Sequence, residues 1–227
     1  VKNADEFETS NSKRGEQMKY LGKPAGMWAL FAGSFEKHLT VEFDLTAGQA
    51  KDVAARAKKK YREIIAKLPE FDKRDRFEMN IVNCAMLAAF ILCMPQRPDI
   101  KTLTDYYAAA MMTPTMKAFC RASGKKKFTP KDIEGMKATA KLRAGDRNPY
   151  SWNMDFFEYE DGSGYEARFT TCGICTLMQA LGLYDLTPAL CHLDYTMSDA
   201  GGASDFVREY TLASGGPYCD CGYHKKQ

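Results

Sequence analysis

At 227 residues the chain is long enough for one domain with a full buried core, and its 45% hydrophobic and 27% charged residues suit a soluble globular protein, which excludes a disordered or fibrous one. The net charge of +3 comes from Lys and Arg spread along the whole length, too weak and too diffuse for a nucleic-acid surface. The most apolar run, Ile81 to Met94, is interrupted by Asn83 and falls short of the roughly 20 residues a membrane span needs, so neither nucleic acid nor membrane is expected as a partner.

Residues 1–20 are polar, lack the apolar segment of a secretory signal, and read as a flexible N-terminal segment. Residues 21–227 read as a single α+β domain, helical over 21–147 and then, over 148–227, a small antiparallel sheet with packed helices that carries the site. Within the helical part, Met27, Leu30, Phe31 and Phe35 share one helical face over Gly26 to Lys37. Val53, Ala57, Tyr61, Ile64 and Leu68 recur at intervals of three and four, giving an amphipathic helix from Ala47 that Pro69 stops. Arg76 to Met94 reads as the most buried helix. Asp99 to Ser123 is helical with a break at Thr113-Pro114, and Thr129-Pro130 caps and opens a further helix to about Ala144.

Beyond Asn148-Pro149, Met154 to Glu160 and Tyr165 to Thr171 read as a hairpin across Asp161-Gly162-Ser163-Gly164, with Tyr165, Ala167 and Phe169 on one face. Thr171 to Leu183 and Thr187 to Ser198 read as short helices, and Phe206 to Leu212 and Tyr218 to Tyr223 as strands around the Gly215-Gly216 turn. The basic runs Lys58-Lys59-Lys60 and Lys125-Lys126-Lys127 read as a solvated helix face and a solvated loop. Trp152, Phe156, Phe157 and Tyr195 read as core.

Eight cysteines without a secretory signal point to reduced thiols in the cytoplasm. Cys84, Cys93 and Cys120 fall in apolar helices and read as packing; His38 and His224 read as surface or satisfied histidines. The other five cysteines crowd the last part of the chain. Cys172 and Cys175 are three apart at a helix start, where a thiol becomes more acidic. Cys191 and Asp194 are likewise three apart and share a face, with His192 pointing elsewhere, while Cys219 and Cys221 alternate with Asp220 on a strand and project to one side. Three elements can each offer a thiol to one pocket beside Asp194.

The segment TTCGICTLMQALGLYDLTPALCHLDYTMSD, followed by FVREYTLASGGPYCDCGY, resembles the L-2-amino-thiazoline-4-carboxylic acid hydrolase family. The resemblance lies in Cys172, in the Cys191-His192-Leu193-Asp194 group, in Arg208 to Ala213 with its Thr211, in Gly215-Gly216, and in Cys219-Asp220. It implies hydrolytic opening of a small cyclic amidine-like substrate, acting on a C–N bond and giving a carbamoyl-cysteine type product. In that reading Cys172 is the nucleophile, with Cys191 or Cys219 as alternatives. Asp194 orients the substrate or relays a proton, and Arg208 forks the substrate carboxylate, with Thr211 and Asp220 beside it at the substrate. Against this role, Arg208 also reads as an exposed strand residue paired with Glu209 or Glu166. No cofactor is required.

A second reading is a binding module similar to vinyl-reductase-type domains, in which Cys172, Cys191, Asp194 and Cys219 hold zinc without catalysis. A third is a thiol redox protein using Cys172-Gly173-Ile174-Cys175, which calls for a thioredoxin-like βαβ unit. The oligomeric state is left open.

Overall fold

The computed structural model describes residues 24–226; the flexible segment expected over residues 1–20 lies outside the described residues. Six helices come first: α1 (Pro24–Glu42), α2 (Ala47–Ile65), α3 (Glu78–Ile91), α4 (Ile100–Met111), α5 (Pro114–Gly124) and α6 (Pro130–Arg143). Their starts follow from local chemistry. Thr46 and Gln49 close a capping box on α2, Asp99 caps α4, and Thr113 and Thr129 each cap a helix that opens on proline. Every residue of α3 from Ile81 to Ile91 is buried, because α2 and α7 pack on it from different sides. The main core runs through Phe35, Leu39, Leu87, Phe90 and Tyr106 and continues into Trp152, Leu177 and Met178 of the second part.

The second part contains β1 (Asp155–Glu158), β2 (Gly164–Phe169), α7 (Gly173–Ala180), α8 (Thr187–Cys191), α9 (Leu193–Gly201), β3 (Ser204–Val207) and β4 (Cys219–Lys225). The strands form one antiparallel sheet in the order β1-β2-β4-β3, which makes the α+β class plain. Ala167 pairs with Cys221 and Phe169 with Cys219, so the inner face of the sheet carries Tyr165, Ala167 and Phe169 beside Cys219, Cys221 and Tyr223. A smaller core of Met154, Ala167, Phe206, Cys219 and Cys221 lies on that face. A buried ion pair of the helical part, Arg143 at the end of α6 with Asp75 (2.7 Å) ahead of α3, is tied to the second part through Ser151 ahead of β1, which accepts from Arg143 (3.0 Å) and donates to Asp75.

Two expectations fail, each through a side chain that captures backbone groups. The helix read over Thr187 to Ser198 is broken at His192. Cys191 O accepts from Arg208 Nη1 (3.0 Å), and the Tyr195 N–H, which an unbroken helix would aim at Cys191 O, turns to His192 O (3.1 Å). The strand read over Phe206 to Leu212 stops at Val207. The Asp220 carboxylate captures the backbone N–H groups of Glu209 (2.9 Å) and Tyr210 (2.6 Å), so the chain leaves the ladder and Arg208 folds inward. Arg208 is therefore neither on a strand nor paired with Glu209 or Glu166.

Candidate active site

Cys172 is set between β2 and α7 by two local devices. The Asn153 carboxamide oxygen accepts from the backbone of Thr170 (2.9 Å) and Thr171 (2.8 Å), fixing the link that leaves the sheet. Gly173 then passes so close to the Tyr150 carbonyl that a β-carbon would stand 2.0 Å from its oxygen, so only glycine allows α7 to begin there. Cys172 is the N-cap, extended at φ −140° and ψ 113°.

The electrostatics of this position set one thiol apart. Hydrogen bonding from the Cys175 thiol, then from the amides of Cys175 and Ile174 and from the Trp152 indole, lowers the Cys172 thiol to about 7 against the opposing effect of burial. No regular side-chain capping bond closes at Cys172, so the lowering rests on several weak donors. Cys175 is pushed up, first by its bond to Cys172 and then by burial; the proton of the pair stays on Cys175. Burial also raises Cys84, Cys93, Cys120, Cys191 and Cys219, and lifts Cys221 to about 12. Cys172 alone among the eight is pushed towards the thiolate.

Cys172 opens into a cavity of about 680 Å³ enclosed by α1, α3, α4, α5, the inner face of the sheet and α9. Cys191, Asp194, Arg208, Cys219 and Cys221 line the same cavity, so the pocket expected from three thiol-bearing elements exists. Thr211 and Asp220 are not in its wall. Thr211 caps the turn at Leu212–Ser214 by accepting from Ser214 N–H (3.1 Å), and Asp220 holds the Arg208 loop as described above. Cys219 Sγ accepts the Leu212 N–H (3.2 Å), and its thiol is bound into that same loop.

Arg208 is the hub of the site. Its side chain is 6% exposed; Nη1 donates to Cys191 O, while Nη2 donates to Asp194 Oδ2 and to Cys221 Sγ (2.9 Å). The guanidinium also lies over the Phe206 ring at 4.6 Å. The fork expected to take a substrate carboxylate is thus already engaged by the protein. Asp194, by contrast, has a side chain 45% exposed and lines the cavity, with only one of its oxygens bonded to Arg208. His192 stacks on Tyr195 at 5.2 Å and stays out of the cavity.

The tetrahedral set proposed for zinc, Cys172, Cys191, Asp194 and Cys219, shares the cavity, yet among the described residues no three His, Cys, Asp or Glu side chains stand in an arrangement that holds a metal ion. Asp194 is turned to Arg208 and Cys219 to Leu212 instead. The redox reading calls for a parallel βαβ unit, whereas every strand pair described is antiparallel.

Several cavity residues had no distinct signal in the sequence. Trp152, read as core, is buried but also serves Cys172. Asn83 was visible as the one polar interruption of an apolar run; its Oδ1 accepts from Tyr107 OH (2.7 Å), and among the described residues its amide has only the Met111 thioether (3.2 Å) as acceptor. Lys127 corrects the reading of its basic run as a solvated loop. Its ammonium lies 3.4 Å over the Tyr223 ring in a second cavity of about 300 Å³, and burial lowers it to about 8. Arg76, Phe77, Phe169, Asp194 and Tyr223 line both cavities, which therefore adjoin.

No described helix is long and apolar enough to cross a membrane. The family described as L-2-amino-thiazoline-4-carboxylic acid hydrolase matches residues 79–223, a span that takes in α3 to α9 and most of the sheet. No curated protein and no solved structure gives a match.

Proposed function

The chain belongs to the L-2-amino-thiazoline-4-carboxylic acid hydrolase family, and from that premise we propose that it opens a small cyclic amidine-like substrate with Cys172 as nucleophile. The observation that carries this reading is the contrast among the eight thiols: Cys172 alone is held towards the thiolate, and it faces a cavity. A thiolate at neutral pH removes the need for a histidine base.

In this mechanism the Cys172 thiolate adds to the ring carbon that bears the two nitrogens and the sulfur. Collapse of the adduct breaks the ring C–S bond, and the departing sulfur takes a proton. Water then attacks the enzyme-linked carbon and expels Cys172 as thiolate, leaving a carbamoyl group on the opened chain. The net reaction adds one water. Breaking the ring C–S bond leaves the carbamoyl group on nitrogen, whereas breaking the ring C–N bond, as the resemblance implies, would leave it on sulfur.

Asp194 accepts a hydrogen bond from the substrate's amidinium nitrogen and thereby stabilises positive charge on the carbon under attack. Arg208 acts through it as a positioning residue, fixing one carboxylate oxygen and leaving the other to the substrate. Cys191 and Cys219, both pushed up by burial, remain protonated neighbours.

The test is incubation of the purified, reduced protein with L-2-amino-thiazoline-4-carboxylate, following substrate loss and carbamoyl-cysteine formation by mass spectrometry. Turnover is expected in the parent, and Cys172→Ser should lose about 1,000-fold or more with unchanged folding. Full turnover in Cys172→Ser would remove the nucleophile assignment.

A further inference from the structure

The cavity beside Cys172 is far larger than a bare aminothiazoline ring needs. At about 680 Å³ it lies inside the range of roughly 300–1,000 Å³ that encloses drug-sized ligands. Its wall is dominated by Met111, Met116, Phe119, Trp152 and Phe169, side chains that favour an apolar and variable occupant. A compact, zwitterionic ring would leave most of this surface without contact.

Charge at the junction of the two cavities points the same way. Arg76 lines both cavities and reaches only Thr139 Oγ1 (3.3 Å) and the Met136 thioether (3.6 Å), with no carboxylate among the described residues. Lys127, in the wall of the second cavity, makes no hydrogen bond or ion pair among the described residues and is stacked on Tyr223. The nearby carboxylates are committed elsewhere. Asp132 Oδ2 accepts from Phe128 N–H (2.9 Å) and Tyr165 OH (3.2 Å), and Asp194 pairs with Arg208. Two cations, one of them largely desolvated, thus face a shared space in which neither has an ion-pair partner among the described residues, although Asp132 and Asp194 line it as well; an anionic ligand group would pair with both cations. Arg208, with its fork engaged, leaves the role of substrate anchor open.

We infer that the substrate is an elongated, amphipathic amide or amidine: its reactive carbon at Cys172, an apolar body in the methionine- and aromatic-lined cavity, and a carboxylate or comparable anion held by Arg76 and Lys127. This rests on the hydrolase reading for the reactive end only; the apolar body and the anion are read from the walls themselves. Burial brings Lys127 down to about 8, with Arg76 adding to the effect and Asp132 and Asp194 opposing it; Tyr165, Tyr223 and, across Phe128, Lys225 complete its surroundings. Affinity for the anion is therefore highest below that pH and fades as Lys127 loses its proton above it.

The test is calorimetric titration of reduced Cys172→Ser protein with phenylbutyrate, with phenylbutanol, and with L-2-amino-thiazoline-4-carboxylate. Phenylbutyrate is expected to bind about tenfold or more tighter than phenylbutanol and tighter than the bare ring. Arg76→Ala and Lys127→Met should each abolish the preference for acid over alcohol while leaving phenylbutanol binding unchanged, which also shows that the cavity remains folded. Equal binding of acid and alcohol in the parent overturns the proposal, as does tighter binding of the bare ring, or no binding of either phenyl probe. Failure of the hydrolase reading is separate: the acid preference would stand while neither turnover nor dependence on Cys172 appeared in the parent enzyme.

Discussion

Two Arg–Asp pairs, one within the helical part and one within the sheet part, are built differently. Arg143 and Asp75 are shut off from solvent, with side chains 2% and 0% exposed; Ser151 bonds to both of them and Asp146 pairs with Arg143. Arg208 is almost as buried, yet its partner Asp194 is 45% exposed and opens on the cavity. In the first pair both carboxylate oxygens and Arg143 Nη1 are directed to fixing the neighbouring segments. In the second, one carboxylate oxygen is held and the other is free to meet a ligand. A buried ion pair adds little net stability over an apolar contact of the same shape, so what distinguishes the two is what the carboxylate faces.

Asp75→Ala should give the largest effect on folding. It leaves the Arg143 charge in a dry site with only Asp146, and stability in urea unfolding is expected to fall by about 3 kcal/mol, the lower end of the range for breaking such a pair. Asp194→Asn should give the reverse pattern. The carboxamide still accepts from Arg208, so the unfolding midpoint stays close to the parent, while kcat/KM drops about 100-fold through loss of the charge facing the substrate. If Asp194→Asn unfolded like Asp75→Ala and kept its turnover, the two pairs would be the same kind of device and the contrast would be lost.

The same contrast marks what the sequence made legible. The cap of α6 announced itself, since Thr129 acts on backbone three residues away; Thr46, Asp99 and Thr113 work the same way on α2, α4 and α5. The β1–β2 hairpin did too, with Gly162 taking the positive φ of 70°. The break at His192 and the end of β3 did not, because both depend on Arg208 and Asp220, side chains that reach across the fold to capture backbone groups. The residue types of the site were plain from the cysteine spacing, and so was the helix start whose Cys175 thiol and amides make Cys172 acidic, but the Trp152 indole that adds to them has no local signal. Lys127 looked like its two solvated neighbours, and only the ring of Tyr223, from the far end of the chain, makes it different.

The smallest effect bears on how Cys172 is kept reactive. If the Cys175 thiol is the leading donor to Cys172, then Cys175→Ala should raise the Cys172 pKa from about 7 towards the ordinary thiol value of about 8.5. Iodoacetamide reacts with the thiolate, so its labelling rate at Cys172, followed by peptide mass, rises with pH and levels off above the pKa. In the parent the half-maximal rate is expected near pH 7; in Cys175→Ala it should move up by about one pH unit, so that labelling at neutral pH slows several-fold while the plateau at high pH is unchanged. Asp194→Asn, acting on the substrate and not on the thiol, should leave this midpoint close to that of the parent. A midpoint that shifts with Asp194 but not with Cys175 would place control of the nucleophile in the Arg208 pair, and the division of labour between the start of α7 and that pair would have to be redrawn.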